Sequence, residues 1–342
     1  MPATSVKDRL IHKCNHREIN YRGQLYMVHI SEDRLSLIRQ PPRYRVLETI
    51  MRKNAFSSLI LLGGLREVIA DYDGAIVDLW GVVHDGVTAS SKAITALRHL
   101  RDLGKTVCLL SNAPRRSDVV IQSLAEMGVD RDLYRSLVTS GDTAILALSG
   151  PPLSEILGRH FFHIGPDFLQ PLVAQTNLVL SKTLSGSDFI LCTGTDRAES
   201  IDDLVPLLAE ARSRDLAMVC VNPDLTVHIG DREVLCAGAV AACYQGMGGL
   251  VHYFGKPYPD VYELAFKAMD LDARRVIAIG DAFRTDIKGA ASQDVDSILI
   301  TSGIHRADIG PDGNGRPDMA AVAQLAARHA AVPTFVMDRF QW

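Results

Sequence analysis

Short runs of β-branched and aliphatic residues alternate along the chain with stretches whose apolar positions recur every three to four residues. This alternation is typical of a parallel sheet covered by helices. Two of the helical stretches, residues 91–103 and 117–127, are each followed by a glycine, Gly104 and Gly128, where a left-handed residue commonly closes a helix. The pattern therefore predicts an α/β fold with a Rossmann-like parallel sheet.

The predicted strands are unevenly spaced along the chain. They cover residues 75–79, 106–110, 251–254, 276–279 and 297–300, so the second and third lie about 140 residues apart. The gap has strand candidates of its own at 161–164, 189–192 and 218–221, and a helical pattern over 201–212. A loop of that length is uncommon inside a compact domain, which favours an inserted domain. We predict a core of residues 56–147 and 235–342, an inserted α/β cap of residues 148–234, and a basic, poorly ordered extension of residues 1–55.

Composition limits the partners of the chain. With 342 residues, of which 47% are hydrophobic, it can bury a sizeable core. The net charge of −4 conceals a basic start, in which eleven Lys and Arg face five Asp and Glu before residue 54. A block this short is more typical of a solvated arm than of a nucleic-acid or membrane surface, so we expect neither partner. Six cysteines without a C-x-x-C pair suit a reducing compartment, and we expect a cytoplasmic protein.

Polar residues follow four of the predicted strands. Asp78 ends the first, Ser111 and Asn112 follow the second, Lys256 follows the third and Asp281 the fourth. The carboxyl ends of parallel strands share one edge of a sheet, where ligands bind, so these side chains are expected to converge. The competing segment "DYDGA" at 71–75 precedes its apolar run, which would put its carboxylates at the opposite edge.

Four segments around these residues carry a family resemblance. They are "YDGAIVDLWGVVHDG", "LLSNAPR", "FGKPYPDVYELA" and "VIAIGDAFRTDIKGA". In this order and spacing they resemble the motifs of the haloacid dehalogenase superfamily, over roughly residues 71–304. The closest resemblance is to the subclass with a large α/β cap after the second motif, which includes phosphatases of nucleotides, 4-nitrophenyl phosphate and pyridoxal phosphate.

The resemblance implies phosphoryl transfer to an aspartate. Asp78 would be the nucleophile and would form an aspartyl phosphate. Asp78, Asp281 and the backbone carbonyl of Trp80 would hold Mg²⁺, whose preferred ligands are oxygen atoms. Asp286 would orient a metal-bound water or steady the lysine. Mg²⁺ is therefore the expected cofactor.

The resemblance also implies a phosphate-binding set. Ser111, Asn112 and the neighbouring backbone N–H groups would bind phosphate oxygens, and Lys256 would supply positive charge. The expected ligand is a small phosphorylated metabolite. The polar cap residues Asp196, Arg197, Asn222 and Asp224 do not identify it. A homo-oligomer formed through the cap stays open.

Trp80 departs from the family pattern, which usually has an aspartate two residues after the nucleophile. That aspartate protonates the leaving oxygen and activates water, a contribution typically worth ~10² to 10⁴ in rate. Three interpretations stay open. The first is a magnesium-dependent phosphatase that uses a good leaving group, or uses His84 or Asp85 as a substitute. The second is a dehalogenase-like or phosphonate-cleaving hydrolase, and the third is a non-catalytic phosphometabolite-binding or regulatory protein.

Overall fold

The computed structural model describes residues 59–167, 169–174, 176–195, 200–229 and 232–342, and the backbone of two earlier strands. Those strands, β1 (His16–Tyr21) and β2 (Gln24–His29), pair antiparallel as a hairpin. The rest of the expected basic extension lies outside the described residues, as do Asp196 and Arg197. No helix in the described ranges is long and apolar enough to cross a membrane.

The remaining strands form two larger parallel sheets and a second hairpin. In chain order they are β3 (Ile60–Leu62), β4 (Gly74–Asp78), β5 (Thr106–Ser111), β6 (Ser136–Thr139), β7 (His160–Ile164), β8 (Val179–Ser181), β9 (Phe189–Cys192), β10 (Ala217–Cys220), β11 (Thr226–Ile229), β12 (Arg232–Leu235), β13 (Val251–Tyr253), β14 (Val276–Gly280), β15 (Asp296–Ile300) and β16 (Phe335–Met337).

The helices cover the sheets. In chain order they are α1 (Ser91–Asp102), α2 (Ser117–Glu126), α3 (Ser140–Leu148), α4 (Leu153–Leu157), α5 (Leu169–Val173), α6 (Val205–Ser213), α7 (Ala237–Gly246), α8 (Pro259–Met269), α9 (Lys288–Ser292), α10 (Arg306–Ile309) and α11 (Met319–His329), with a π-helical turn at Phe283–Ile287 before α9.

The first sheet has the strand order β3-β16-β15-β14-β4-β5-β6, and all of its strands are parallel. Strand β4 lies near its middle and is buried along its whole length. Ala75 and Val77 pack into one hydrophobic cluster and Ile76 into another, because successive side chains of a strand point to opposite faces. Burial on both faces explains why the sequence of β4 is apolar up to Asp78, which ends the strand.

Helix α1 shows how the sequence pattern produces this layer. Its buried residues, Ala93, Ala96, Leu97 and Leu100, recur at helical spacing and pack into the cluster that also contains Val77. The Ser90 hydroxyl accepts a hydrogen bond from the Ala93 N–H and caps the helix start. The predicted helix over residues 91–103 and the parallel α/β core are therefore confirmed.

The second sheet has the order β13-β10-β9-β7-β8 and is also parallel. Its central strands were predicted from the sequence, but its edge strand β13 was expected in the first sheet. That placement was wrong, because Val251–Tyr253 pairs with β10 and a short aliphatic run does not specify its neighbour. The second sheet thus takes strands from His160 to Tyr253, beyond the predicted cap boundary at 234. We therefore propose that the cap extends to about residue 254.

Candidate active site

Two neighbouring strands of the first sheet bring the candidate acidic residues together. Strands β4 and β14 pair in parallel, with Val77 opposite Ile279, so Asp78 and Asp281 leave the sheet at the same edge. Asp286 follows on the π-helical turn. Carboxylate oxygens of the three aspartates lie within 4.8 Å of one another, and all three residues are buried. The sequence-based expectation that Asp78 and Asp281 converge agrees with this geometry.

Lys256 bridges this acidic cluster. Its Nζ donates hydrogen bonds to Asp78 Oδ1 and, at 2.7 Å, to Asp286 Oδ1, and only 3% of the lysine is exposed. Burial alone would lower the pKa of Lys256, but the charges of Asp286, Asp78 and Asp224 together hold it well above its usual value. The lysine is therefore a permanent cation in the site.

The acidic cluster would carry an excess of negative charge if all three carboxyl groups were ionised. Burial raises the pKa of Asp78 to about 7, although Lys256 opposes the shift. Burial, and then the charges of Asp78 and Asp286, raise the pKa of Asp281 well above its usual value. One lysine does not balance three ionised carboxylates, and burial together with this imbalance raises the pKa values of Asp78 and Asp281. A bound divalent cation would balance the carboxylates, and its oxygen preference matches the side chains present.

The backbone around Asp281 is fitted closely to its carboxylate. The Ile304 N–H donates to Asp281 Oδ2 at 2.7 Å. A Cβ atom at Gly81, whose φ is +75°, would lie 2.0 Å from Asp281 Oδ2, and one at Gly303 would lie 2.1 Å from it. Both glycines are therefore required where they are. The positive φ of Gly81 also lets the chain turn away from β4. The contribution of Gly303 and Ile304 is made by backbone and left no motif in the sequence.

Asn112 fixes the position of Lys256. Its Oδ1 accepts from the Lys256 N–H at 2.7 Å, and its Nδ2 donates to the Lys256 carbonyl at 3.2 Å and to Asp224 Oδ1 at 3.0 Å. The side-chain amide that we expected at the phosphate is thus occupied in holding other residues of the site. The neighbouring Ser111 is buried, and its Oγ accepts from the Ala113 N–H at 3.2 Å, which leaves the hydroxyl hydrogen available to a ligand oxygen.

Trp80 lies on the segment that leaves β4 and is half-buried. Its ring meets the His84 ring edge to face, with centroids 5.1 Å apart. A Cβ atom at Gly86 would lie 2.3 Å from the indole, so the segment from Gly81 to Gly86 folds directly over it. The tryptophan is an integral part of this loop, which we call the flap.

The two flap residues proposed as substitutes for the missing acid are poorly suited to that role. Burial lowers the pKa of His84 to about 4, and its Nδ1 accepts from the Gly86 N–H at 3.0 Å, so its ring is neutral at pH 7. Hydrogen bonds from the Thr88 and Val87 N–H groups lower the pKa of Asp85, which holds the flap turn as a carboxylate. Neither side chain carries a transferable proton near neutral pH.

A cavity of about 550 Å³ joins these groups. Its walls include Asp78 and Ser111 at the edge of the first sheet, Trp80 beside the flap, and Lys256 after β13. The inserted part adds the segment from Asn222 to Val227. Its volume lies in the range of small-molecule sites. Asp73 of the competing "DYDGA" segment is instead at the surface, where it pairs with Arg275 at 2.7 Å. That segment is not part of the site.

Comparison with known proteins gives matches over both halves of the chain. Residues 75–177 match the haloacid dehalogenase-like hydrolase model, and residues 253–327 match a second, HAD-hydrolase-like model. A crystal structure of a hydrolase of the haloacid dehalogenase-like family from Brucella suis is 33% identical, with a TM-score of 0.71, and covers 82% of this chain and 99% of its own.

Two curated relatives are more distant. The D-glycerol 3-phosphate phosphatase of Mycobacterium tuberculosis is 25% identical over 245 residues, which are 71% of this chain and 67% of that enzyme. The ribonucleotide monophosphatase NagD of Escherichia coli is 23% identical over 248 residues, 71% of this chain and 90% of that enzyme. The two family models together cover Asp78, Ser111, Lys256 and Asp281.

Proposed function

Because the chain belongs to the haloacid dehalogenase-like hydrolase family, we propose that it is a magnesium-dependent phosphatase of a small phosphorylated metabolite. The observation that carries this proposal is the buried ion pair of Asp78 with Lys256, beside two further aspartates. A carboxylate held in this way can attack phosphorus once the repulsion between the two anions is cancelled. Phosphatase activity in two relatives supports the reaction class.

Asp78 is the nucleophile in this proposal. One of its oxygens attacks the substrate phosphorus, the bond to the leaving oxygen breaks, and an aspartyl phosphate forms. Hydrolysis of that intermediate releases inorganic phosphate and restores the carboxylate. Burial raises the pKa of Asp78 to about 7, so the attacking form depends on nearby positive charge, which Lys256 supplies.

Asp78, Asp281 and the Trp80 carbonyl would hold Mg²⁺. When bound, the ion would neutralise charge on the substrate phosphate and on the carboxylates. Asp286 supports the lysine, since its Oδ1 accepts from Lys256 and its Oδ2 accepts from the Ala282 N–H at 3.2 Å. Ser111 and Lys256 donate hydrogen bonds to phosphate oxygens, and Asn112 keeps the lysine backbone in position.

A screen for phosphate release tests this proposal. The protein is incubated with a panel of phosphorylated sugars, polyols and nucleotides and with 4-nitrophenyl phosphate, with Mg²⁺ or with EDTA. We expect metal-dependent release that Asp78→Asn removes. Release of halide from 2-haloacids without metal would favour the dehalogenase interpretation. Binding of phosphate esters without any turnover would favour the non-catalytic one.

We also propose a cytoplasmic location. The described cysteines are all free, and Cys108, Cys192, Cys220 and Cys236 are buried. Unpaired thiols are typical of proteins in a reducing compartment. Fractionation of cells that express the tagged protein would test this.

A further inference from the structure

Five carboxyl groups line the cavity, and four of them already have a role in the proposed mechanism or in holding the local structure. Asp78 is the nucleophile and Asp281 the metal ligand of the proposed function. Both oxygens of Asp286 are hydrogen-bonded, to Lys256 and to the Ala282 N–H. Asp85 is held by the N–H groups of its own turn. Asp224 is the fifth, and the proposed mechanism has not used it.

Asp224 is carried by the inserted part of the chain. It follows β10 and lies on the segment from Asn222 to Val227, which forms the inserted part's wall of the cavity. Its N–H donates to Asn222 Oδ1 at 3.0 Å, and its Oδ1 accepts from Asn112 Nδ2 at 3.0 Å. Within the described part of the chain, no hydrogen bond reaches its Oδ2. One oxygen is thus anchored while the other stays available to a ligand.

The surroundings of Asp224 raise its pKa. Burial raises the pKa of this carboxyl group, and the charge of Asp286 raises it further. Lys256, the hydrogen bond from Asn112 and the charge of Arg284 oppose the shift without cancelling it. A raised pKa makes this carboxyl group a better proton acceptor than an exposed aspartate, and such a group can give up its proton when negative charge develops beside it.

The direction of the reaction favours contact with this group. In phosphoryl transfer the attacking and leaving oxygens are roughly in line on opposite sides of phosphorus. Asp78 attacks from the edge of the first sheet, so the leaving oxygen points away from that edge. Asn222, Asp224, Thr226 and Val227 are the lining residues that the inserted part contributes.

We propose that Asp224 is the proton donor for the leaving group and the base for the hydrolytic water, in place of the carboxylate that Trp80 excludes. This proposal rests on the proposed phosphatase function. In the first step Asp78 bonds to phosphorus, the P–O bond to the leaving group breaks with its electron pair, and the leaving oxygen takes the Asp224 proton. In the second step water attacks phosphorus, gives a proton to the Asp224 carboxylate, and the bond to Asp78 breaks. Phosphate is released and both side chains return to their starting forms.

The test compares Asp224→Asn with the wild type on an alkyl and an aryl ester. The amide keeps the volume and can still accept from Asn112, but it cannot donate an acidic proton. With glycerol 3-phosphate, whose leaving alkoxide needs a proton, we expect kcat/KM to fall on the order of 10²-fold. With 4-nitrophenyl phosphate, whose leaving group departs as a stable anion, we expect a loss of less than about fivefold.

Two variants serve as matched controls. Thr226→Val alters the same wall without a titratable group, and Asp85→Asn removes a different carboxyl group of the cavity. Both should change the two substrates by the same factor. Thermal melts check that each variant is folded.

Three results would overturn the proposal. An equal loss on both esters in Asp224→Asn would make the residue a positioning group. A wild type that cleaves the aryl ester but no alkyl phosphate of the panel would show that no acid acts on the leaving group in this site. A wild type that cleaves neither ester, nor any other phosphate of the panel, would remove the phosphatase function and the proton donor together.

Discussion

Lys256 and Asp78, 178 positions apart in the sequence, form a buried ion pair in which the lysine Nζ donates to Asp78 Oδ1. The lysine arrives from the second sheet and the aspartate from the first. The pair therefore forms only when both parts of the fold are in place, and it couples the nucleophile to the packing of the whole site.

Lys256→Met should destabilise the metal-free protein in a pH-dependent way. Removing one partner of a buried ion pair typically costs about 3 to 5 kcal/mol, because the remaining charge is uncompensated. At pH 8 the full cost should appear, whereas at pH 5 protonation of Asp78 should reduce it, since burial already raises the pKa of that carboxyl group to about 7. Urea unfolding in EDTA at both pH values measures the difference. Lys92→Met, at an exposed lysine that donates to Gln341 Oε1, is the control and should change little.

Asp78→Asn should abolish turnover while the protein stays folded, because the amide has nearly the same volume but cannot attack phosphorus. Asp73→Asn is its matched control. Asp73 precedes β4 and Asp78 ends it, so the two lie about 16 Å apart at the usual rise of a strand. Phosphate release should be lost in the first variant and retained in the second. The opposite result would restore "DYDGA" as the candidate motif.

Asp281→Asn should weaken Mg²⁺ binding without lowering the stability of the metal-free protein. Without metal the variant should melt at or above the wild-type temperature, because the amide adds no negative charge beside Asp78 and Asp286. With Mg²⁺ at 100 times its dissociation constant, the wild type should gain about 2.7 kcal/mol and the variant far less. Thermal melts in EDTA and in Mg²⁺ test this, with Asp73→Asn expected to match the wild type. Equal shifts in both proteins would exclude Asp281 as a metal ligand.

His84 should make stability fall as the pH falls. Burial lowers its pKa from 6.5 to about 4, so between these values the unfolded chain binds a proton that the folded protein does not. This group's contribution is complete above pH 6.5 and is progressively lost towards pH 4, by up to about 3 kcal/mol. His84→Asn, whose amide oxygen can replace Nδ1 as the acceptor for the Gly86 N–H, should remove that part of the pH dependence. Urea unfolding of both proteins between pH 4 and 7 measures it, and parallel curves would count against a neutral, buried imidazole.

Trp80→Asp should restore an acid at the usual family position. In an Asp224→Asn background it should raise kcat/KM on glycerol 3-phosphate by up to ~10² if the new carboxyl group reaches the leaving oxygen. Loss of the indole contacts with His84 and Gly86 should cost about 3 kcal/mol, so melts must accompany the kinetics. Trp80→Phe in the same background keeps an aromatic ring without an acid and should give no gain. A rise in kcat/KM with Trp80→Phe as well would show that the effect comes from the extra space in the cavity and not from the new acid.

Much of the site could be predicted because parallel strands align their carboxyl ends. Asp78, Ser111 and Asp281 each lie at the end of an apolar run that becomes a strand of one sheet. The order of apolar runs and polar residues was therefore sufficient to predict that these side chains converge. Lys256 also follows an apolar run, although that run joins the second sheet, and the family motifs added Asp286. The structure brings both residues to the same cluster.

Other features depend on contacts that no local pattern records. The run at Val251–Tyr253 has the composition of a core strand, but its partner β10 belongs to the second sheet. Asn112 follows Ser111 as a phosphate-binding residue would, yet its amide holds Lys256 and Asp224. Asp224 was one polar cap residue among several, and its place beside the lysine becomes visible only in three dimensions.

The close approach of Gly303 to Asp281 restricts the order in which substitutions at these two positions can occur. A methyl group at position 303 would overlap the Asp281 carboxylate, with its Cβ 2.1 Å from Oδ2 and 2.4 Å from the aspartate Cβ. Because the second contact is with the Cβ atom, even alanine at position 281 would meet a methyl group at 303. Position 303 can therefore accept a larger residue only after position 281 has become glycine. Once a side chain stood at 303, it would occupy the space that the Asp281 carboxylate needs.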